Sequence, residues 1–243
     1  MTDLGPNPPA PEPEDDLPDS GRTGADGATG PAEDYRTKYA QEHRDEIRAQ
    51  GKVPILAAEL QAVDAMAKAI RAHPLASVLF DPDRGGRPEQ TLFWTDKEFD
   101  VLRRARIDWL PAPRTDGRLL VPDYKSTASA EPAAFTKSVF AYGYDVQAVF
   151  YTDGVRALGL ADDVAFLFVA QEKTAPFLVT VHQLDDVSLG IGRTKVDRAL
   201  ATYEECLLTG EWPGYSTDVD LVTPPPWLAR QYEDLASPKE YAS

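Results

Sequence analysis

The sequence has almost no cysteine, no long apolar run and no excess of positive charge. Cys206 is its only cysteine, which excludes an internal disulfide, a cysteine-based zinc site and an iron–sulfur cluster. No stretch approaches the length of a membrane span, so we expect no membrane association and a reducing, cytoplasmic setting. The formal net charge of −15 has the wrong sign for a protein that simply coats nucleic acid.

The negative charge is concentrated at the N-terminus. Residues 1–34 contain nine acids and one base, which gives them a net charge of −8. They also contain seven prolines and five glycines but no aromatic residue. Such a segment cannot bury enough apolar surface to offset the entropy of an ordered chain, so we predict a disordered acidic tail. Residues 35–232 are predicted to form one domain, and residues 233–243 a C-terminal tail.

Apolar residues recur at two different periods along the rest of the chain, which predicts both helices and strands. Helices are predicted over residues 35–50, 55–72, 133–158 and 189–208. Strands are predicted over residues 90–95, 101–110, 118–125, 164–170 and 177–182. We expect a weak point at Gly143 in the third helix and an irregular arm after Gly210. This order predicts an α/β fold with a mixed central β-sheet flanked by helices, whose first three strands form a meander.

An acid and a lysine lie close together late in the third predicted strand. Asp123 and Lys125 are two residues apart, so their side chains share a face, with Cα atoms roughly 6.6 Å apart at about 3.3 Å per residue. A carboxylate there could bind a hydrated metal ion, and the lysine could hold or deprotonate a metal-bound water. The simpler alternative is an ordinary surface ion pair at the end of a strand.

Asp108, in the second predicted strand, could join this pair. If the second and third strands are neighbours and residue 106 or 108 lies opposite residue 123, then Asp108 and Asp123 share a face. Direct cross-strand neighbours are about 4.5–5.5 Å apart and diagonal ones about 7–8 Å, both within reach of a metal or a metal pair. A register shift of one residue would place Asp108 on the opposite face.

The long helix that follows adds a glutamine among aromatic residues. Phe140, Tyr144, Gln147 and Tyr151 lie along one flank of residues 133–158 at helical spacing. Gln147 could hydrogen-bond a phosphate or a base near the proposed metal. The alternative is a half-buried helix flank with no role in binding.

Together these motifs resemble the PD-(D/E)XK nuclease superfamily, most closely the exodeoxyribonuclease VIII (RecE-like) branch of phage and prophage recombination systems. The resemblance covers roughly residues 35–232. It is strongest at Pro88-Glu89, Arg106-x-Asp108, the run Asp123-Tyr124-Lys125-Ser126-Thr127, and Tyr144-x-x-Gln147-x-x-x-Tyr151.

The resemblance implies a restriction-endonuclease-like core and a Mg²⁺-dependent DNA exonuclease, in which Mn²⁺ could replace Mg²⁺. It implies hydrolysis from the ends of linear duplex DNA in the 5′→3′ direction, within phage-type homologous recombination. The setting would be a bacterial or phage-infected cytoplasm. The partners implied are duplex DNA ends, a single-strand annealing recombinase, and further copies of the chain in a ring-shaped homo-oligomer.

The resemblance also assigns roles at the centre of the site. Asp108 and Asp123 would be catalytic metal ligands, and the backbone carbonyl of Tyr124 would complete the metal shell. Lys125 would orient or activate the attacking water. Glu89 is our choice for a further acid that assists the metal, and Glu59 on the preceding helix is the competing choice.

Three further residues are expected to contact DNA. Gln147 and Tyr151 would brace the site and the scissile strand, as the family's Gln-x-x-x-Tyr does. Arg106 would contact a phosphate or, alternatively, pair with Asp123 across the strands. Two other functions stay open on the sequence alone: a non-catalytic module that binds DNA ends or a recombinase, and a structure-specific endonuclease.

Overall fold

The computed structural model describes residues 34–113 and 117–236, which contain five strands and seven α-helices. The helices are α1 (Lys38–Ala49), α2 (Ala57–Ala72), α3 (Ala76–Leu79), α4 (Pro132–Tyr142), α5 (Tyr144–Ala157), α6 (Asp186–Thr209) and α7 (Pro226–Ala236). The strands are β1 (Arg87–Thr95), β2 (Leu102–Leu110), β3 (Leu119–Thr127), β4 (Val164–Glu172) and β5 (Val179–Gln183).

The strands form two sheets. β1 and β2 form an antiparallel pair in which Arg87 lies opposite Leu110. β3 runs parallel to β4, which pairs antiparallel with β5, so the second sheet is mixed. The predicted α/β class with a mixed sheet flanked by helices is confirmed. The predicted three-strand meander is wrong in one respect: no ladder joins β2 to β3 in the described residues, because β3 takes its ladder partner from β4 across the α4–α5 crossover.

The core lies where α5 packs across both sheets. β4 is buried over nearly its whole length, as expected for a central strand covered on both faces. Trp94 of β1 is also buried and packs on Gly154 of α5. A Cβ at Gly154 would lie 2.7 Å from the indole ring, so only glycine permits this approach. α5 therefore packs against both sheets, and it also borders the candidate site.

The helix predicted over residues 133–158 breaks at the predicted weak point. Gly143 has a φ of +70° and separates α4 from α5, because a left-handed residue ends one helix and redirects the next. The break gives α5 a first turn of its own, beginning at Tyr144. That turn faces the C-terminal half of β3 and carries side chains that reach the candidate site.

The C-terminal arm differs from the prediction. Residues 226–236 form α7 where we expected irregular chain, because Pro226 occupies a first helical position, where its fixed φ is favourable and its missing N–H costs nothing. The predicted acidic tail falls almost wholly outside the described residues, as does most of the predicted tail over 233–243. Among the described helices, none is long and apolar enough to cross a membrane.

Candidate active site

Asp123 is the most deeply buried acid of the predicted constellation. It lies on β3 with 2% of its surface exposed. Its Oδ1 accepts a hydrogen bond of 2.7 Å from the side-chain amide of Gln147, and its Oδ2 lies 2.5 Å from Lys125 Nζ. Apart from that ion pair, Oδ2 has no hydrogen-bond partner among the described residues. The sequence therefore correctly placed Asp123 and Lys125 on one face, and α5 adds Gln147 to them.

The surroundings of Asp123 disfavour its charge. Burial raises the pKa of this carboxyl to about 6, and the negative charge of Asp108 acts in the same direction. Lys125 and Gln147 lower the pKa but do not offset the loss of hydration. At neutral pH the Asp123 carboxylate is ionised, and additional positive charge nearby would stabilise it.

Lys125 is held between this carboxylate and an aromatic ring. Its Nζ lies 4.8 Å from the centre of the Tyr144 ring, which itself stacks on Phe168. An ammonium group over the face of a ring is attracted by the ring's negative charge density. Sequence analysis assigned no separate role to Tyr144, although its position three residues before Gln147 places both on one face of α5.

Asp108 reaches the site by a different route from the one we predicted. Burial alternates along β2 so that Ile107 faces the core, and Asp108 lies on the other side of the strand. Its Oδ2 nevertheless accepts a hydrogen bond of 3.0 Å from the backbone N–H of Tyr124, the residue after Asp123. A side chain rather than a strand ladder thus joins β2 to β3 and brings the two acids within electrostatic reach of each other.

A buried series of hydrogen bonds holds the Tyr124 side chain in place. Its hydroxyl donates a hydrogen bond of 2.9 Å to Oε1 of Gln171, which is fully buried on β4. The Gln171 amide donates in turn to the backbone carbonyl of Met66 on α2, at 2.9 Å. Sequence analysis missed Gln171, since a single glutamine near the end of an apolar strand carries no motif.

Glu89 and Arg106 form an exposed pair beside Asp108. Pro88 lies opposite Trp109 and Gln90 opposite Ile107, so Glu89 falls across the strand pair from Asp108. Its carboxylate pairs with Arg106 Nε at 2.9 Å, and both side chains are mostly exposed. Arg106 therefore pairs with Glu89 rather than with Asp123, the alternative that the sequence left open.

The other predicted residues lie further from this centre. Glu59 accepts a hydrogen bond of 3.0 Å from the Leu56 backbone N–H and so helps to begin α2. Tyr151 packs edge-on against Phe166, with ring centres 5.8 Å apart. Within residues 34–113 and 117–236, no three His, Cys, Asp or Glu side chains cluster closely enough to hold a metal ion by themselves.

The side chains that do converge offer oxygen donors of the kind that hard divalent cations prefer. Asp108 and Asp123 supply carboxylates, and Tyr124, whose N–H binds Asp108, also has a backbone carbonyl that could serve as a ligand. The Oδ2 atom of Asp123 has only an ion pair to compensate for its burial. This donor set fits Mg²⁺ or Mn²⁺ better than zinc, which favours nitrogen and sulfur ligands.

Comparison with known proteins gives a family and a fold. No curated protein matches the chain. A crystal structure of a candidate exonuclease from Eubacterium rectale is similar at 15% identity and a TM-score of 0.51, over 79% of this chain and 72% of that one. A second solved structure, SSO0001, shares 16% identity over 70% of this chain and 69% of that one, with a TM-score of 0.33. A protein-family profile described as a PDDEXK-like domain of unknown function, DUF3799, matches residues 30–225. With that match over most of its length, the chain belongs to this family of PDDEXK-like domains.

Proposed function

We propose that the protein is a metal-dependent nuclease that hydrolyses phosphodiester bonds in DNA, and specifically an exonuclease acting on the ends of linear duplexes. The observation that carries the proposal is the buried Asp123, held between Lys125 and Gln147 with Asp108 beside it. A buried acid with a raised pKa and a specific cationic partner is typical of a functional site. The family and the fold support the same chemistry.

Asp108, Asp123 and the Tyr124 carbonyl would hold the divalent cation, and Mg²⁺ is the one we propose. When bound, such a cation neutralises phosphate charge and stabilises the attacking and leaving oxygens. Gln147 fixes the orientation of the Asp123 carboxylate by donating to Oδ1, which leaves Oδ2 directed toward Lys125. The Tyr124 N–H does the same for Asp108, because it occupies one of that carboxylate's oxygens.

Lys125 is the group best placed to act on water. Its ammonium can donate hydrogen bonds both to the Asp123 carboxylate and to a water directed at the phosphorus. The Tyr144 ring limits where the ammonium can move, because it covers one side of Nζ at 4.8 Å. We therefore assign Lys125 the role of orienting the attacking water, which it can do as a hydrogen-bond donor while it stays protonated.

We infer that DNA binds along the solvent-exposed face of the β1–β2 sheet. Arg104 and Arg106 are exposed on the side of β2 that carries Asp108, and their cross-strand neighbours are Phe93 and Thr91. Phe93 is 55% exposed, which suits stacking on a base, while the arginines suit phosphates. Because the protein as a whole is acidic, DNA binding requires a local cationic surface of this kind. Tyr151 remains a predicted DNA contact.

The finer features of the proposal follow the resemblance to the exodeoxyribonuclease VIII branch. They are 5′→3′ polarity, a role in phage-type recombination, a single-strand annealing partner and a ring-shaped homo-oligomer. The similar structure described as a candidate exonuclease supports the preference for DNA ends over internal sites. An endonuclease would also cleave covalently closed circles, so that substrate separates the two activities.

The test is digestion of linear duplex DNA with Mg²⁺ by the wild type and by Asp123→Ala and Lys125→Ala variants. We expect each variant to lose about 10²-fold or more in rate, because a metal ligand or the water-orienting group has gone. An Asp163→Ala variant serves as the control, since within the described residues the Asp163 side chain pairs with Arg118 alone and the pair is exposed. Equal degradation by all four proteins would defeat the proposal, and cleavage of closed circles would replace the exonuclease with an endonuclease.

One observation favours a second candidate, a non-catalytic module that binds DNA ends or a recombinase. The described residues bring only two acids together, and Lys125 already neutralises one of them. Such a module would bind DNA ends with the same affinity in the presence of EDTA, and it would cleave no DNA with any divalent metal ion. Metal-dependent cleavage that Asp123→Ala abolishes would exclude it.

A further inference from the structure

The first turn of α5 contains a second buried acid, which the proposed chemistry does not use. Asp145 has no exposed surface, and its Oδ2 accepts a hydrogen bond of 2.7 Å from Lys195 Nζ of α6. Its Oδ1 has no hydrogen-bond partner among the described residues. A fully buried carboxylate is costly even when paired, so its presence here calls for a role other than simple stability.

The same turn of α6 approaches the backbone of α5. A Cβ on Gly192 would overlap the backbone carbonyl of Asp145, so only glycine lets the helices come this close. Gly192 and Lys195 are three residues apart and lie on one face of α6. Backbone contact and ion pair together fix the first turn of α5 against α6.

That turn carries both side chains through which α5 reaches the candidate site. Tyr144, immediately before Asp145, covers Lys125, and Gln147, two residues after it, donates to Asp123. Residues in one helical turn move together, because backbone hydrogen bonds fix their relative positions. A shift of Asp145 would therefore displace the aromatic cover and the amide at the same time.

We propose that the Lys195–Asp145 pair, seated at Gly192, is a positioning device that sets the place of α5 over Asp123 and Lys125. Lys195 and Asp145 are positioning residues, since neither touches the acids of the site. The consequences for cleavage rest on the proposed nuclease function. The consequences for the geometry of Gln147 do not.

A second ion pair between the same helices supplies a matched control. Arg193 of α6 pairs with Asp153, two turns further along α5, with a hydrogen bond of 2.8 Å. Its side chain is 43% exposed and that of Lys195 44%, so the two cations are about equally solvated. Asp153 also binds Arg103, and its end of α5 lies away from Tyr144 and Gln147. Arg193→Met thus removes an α5–α6 pair without releasing the first turn.

The direct test is the side-chain amide signal of Gln147 in ¹H–¹⁵N spectra, assigned by its loss in Gln147→Leu. In the wild type we expect this amide to be shifted and protected from solvent exchange by its bond to Asp123. Lys195→Met and Lys195→Gln should move the Gln147 amide shift and exchange rate toward the values of a free amide. Lys195→Arg and Arg193→Met should both leave them near the wild-type values. An unchanged signal in both Lys195→Met and Lys195→Gln would overturn the proposal, as would an equal change in Arg193→Met.

Kinetics supply the second readout. Lys195→Met should lower kcat on linear duplex DNA about 10- to 100-fold, the scale for misplacement by roughly 1 Å, with KM nearly unchanged. In a Gln147→Leu background the same substitution should cost less, since the part of its effect that acts through Gln147 is already lost and only the displacement of Tyr144 remains. Independent, multiplicative losses, or a change confined to KM, would instead make Lys195 a DNA contact and overturn the positioning role. A wild type that cleaves no DNA would defeat the nuclease function alone, because the amide signal still tests the positioning.

Discussion

Two of the buried ion clusters that border α5 in the described structure, one around Arg103 and one around Asp123, balance their charges differently. The far cluster lies beside the C-terminal half of α5, away from the candidate site. Its cation, Arg103, is 3% exposed and binds the carboxylates of Asp96 and Asp153. The Arg103 guanidinium also lies 4.0 Å from the Phe150 ring centre. Burial tends to raise the pKa of Asp96, but hydrogen bonds from Arg103 and the backbone outweigh it and hold the pKa below its usual range.

The near cluster lies beside the first turn of α5, at the candidate site. Its buried group is an acid, and the contacts around it only partly offset the loss of hydration. Asp123 has Lys125 and Gln147, yet burial still raises its pKa to about 6. Both clusters use an aromatic ring beside the cation, so the difference lies in the carboxylate. In the far cluster Arg103 neutralises both carboxylates and holds the β1–β2 sheet against α5, although its Nε has no hydrogen-bond partner among the described residues. The near cluster leaves an acid that further positive charge would stabilise, which distinguishes a candidate site from a structural ion pair.

The largest expected effect on stability belongs to the far cluster. Arg103→Met leaves Asp96 without a cation and Asp153 with Arg193 alone, both in a largely buried place, so we expect a loss of about 3–5 kcal/mol in the free energy of unfolding. Urea denaturation measures it. Arg118→Met, which breaks an exposed pair, should cost less than about 1 kcal/mol. Similar losses in the two variants would mean that the buried far cluster contributes no more to stability than an exposed ion pair.

The near cluster should make stability depend on pH in the opposite direction from an ordinary paired acid. The folded chain holds the Asp123 proton more tightly than the unfolded chain, whose carboxyl has a pKa near 3.8. Stability from this group is therefore greatest below pH 4, falls as the pH rises to about 6, and is constant above that. The total is about 3 kcal/mol at 1.36 kcal/mol per pKa unit.

Asp123→Asn isolates this contribution from those of the other acids. Unfolding free energies of the wild type and the variant, measured from pH 4 to pH 8, should diverge with rising pH in favour of the variant. A difference that stays constant over this range would mean that the carboxyl is not perturbed by its burial.

Divalent cations should stabilise the near cluster specifically. At pH 8, Mg²⁺ or Mn²⁺ at 100 times its dissociation constant should add about 2.7 kcal/mol to the free energy of unfolding. The gain should fade below pH 6, where protonation of Asp123 competes with the metal. Thermal denaturation with and without the metal measures it, with Asp123→Asn losing the gain and Asp163→Asn keeping it. Equal gains in both variants would place the metal elsewhere.

The smallest effect concerns the ring over Lys125. Tyr144→Phe keeps the aromatic face, so cleavage rates should stay within about 2-fold of the wild type, whereas Tyr144→Leu should lose about 5-fold, or roughly 1 kcal/mol. Steady-state rates on linear duplex DNA measure both. If the leucine variant matched the phenylalanine variant, the ring would have no part in holding the ammonium.

Local patterns predicted much of the fold and the shared face of two candidate-site residues. Alternation along β3 placed Asp123 and Lys125 on one face, and a glycine in a long helical pattern marked the break at Gly143. These features depend on residues a few positions apart. The PDDEXK-like class followed from the motifs they form and agrees with the family match.

Features that depend on distant residues could not be predicted. Periodicity does not say that β3 pairs with β4 rather than β2, so the route by which Asp108 reaches Tyr124 required the structure. The Lys195–Asp145 pair joins residues 50 positions apart. Neither a lysine on a helix surface nor a single acid among apolar residues indicates such a partner.

The most direct test of the central claim is a crystal structure of the protein soaked in Mn²⁺, with anomalous scattering used to locate the metal. We predict a peak in contact with the carboxylates of Asp108 and Asp123 and the backbone carbonyl of Tyr124, and its loss in Asp123→Asn crystals. A metal bound elsewhere, or no metal in a wild type that still degrades DNA, would contradict this account.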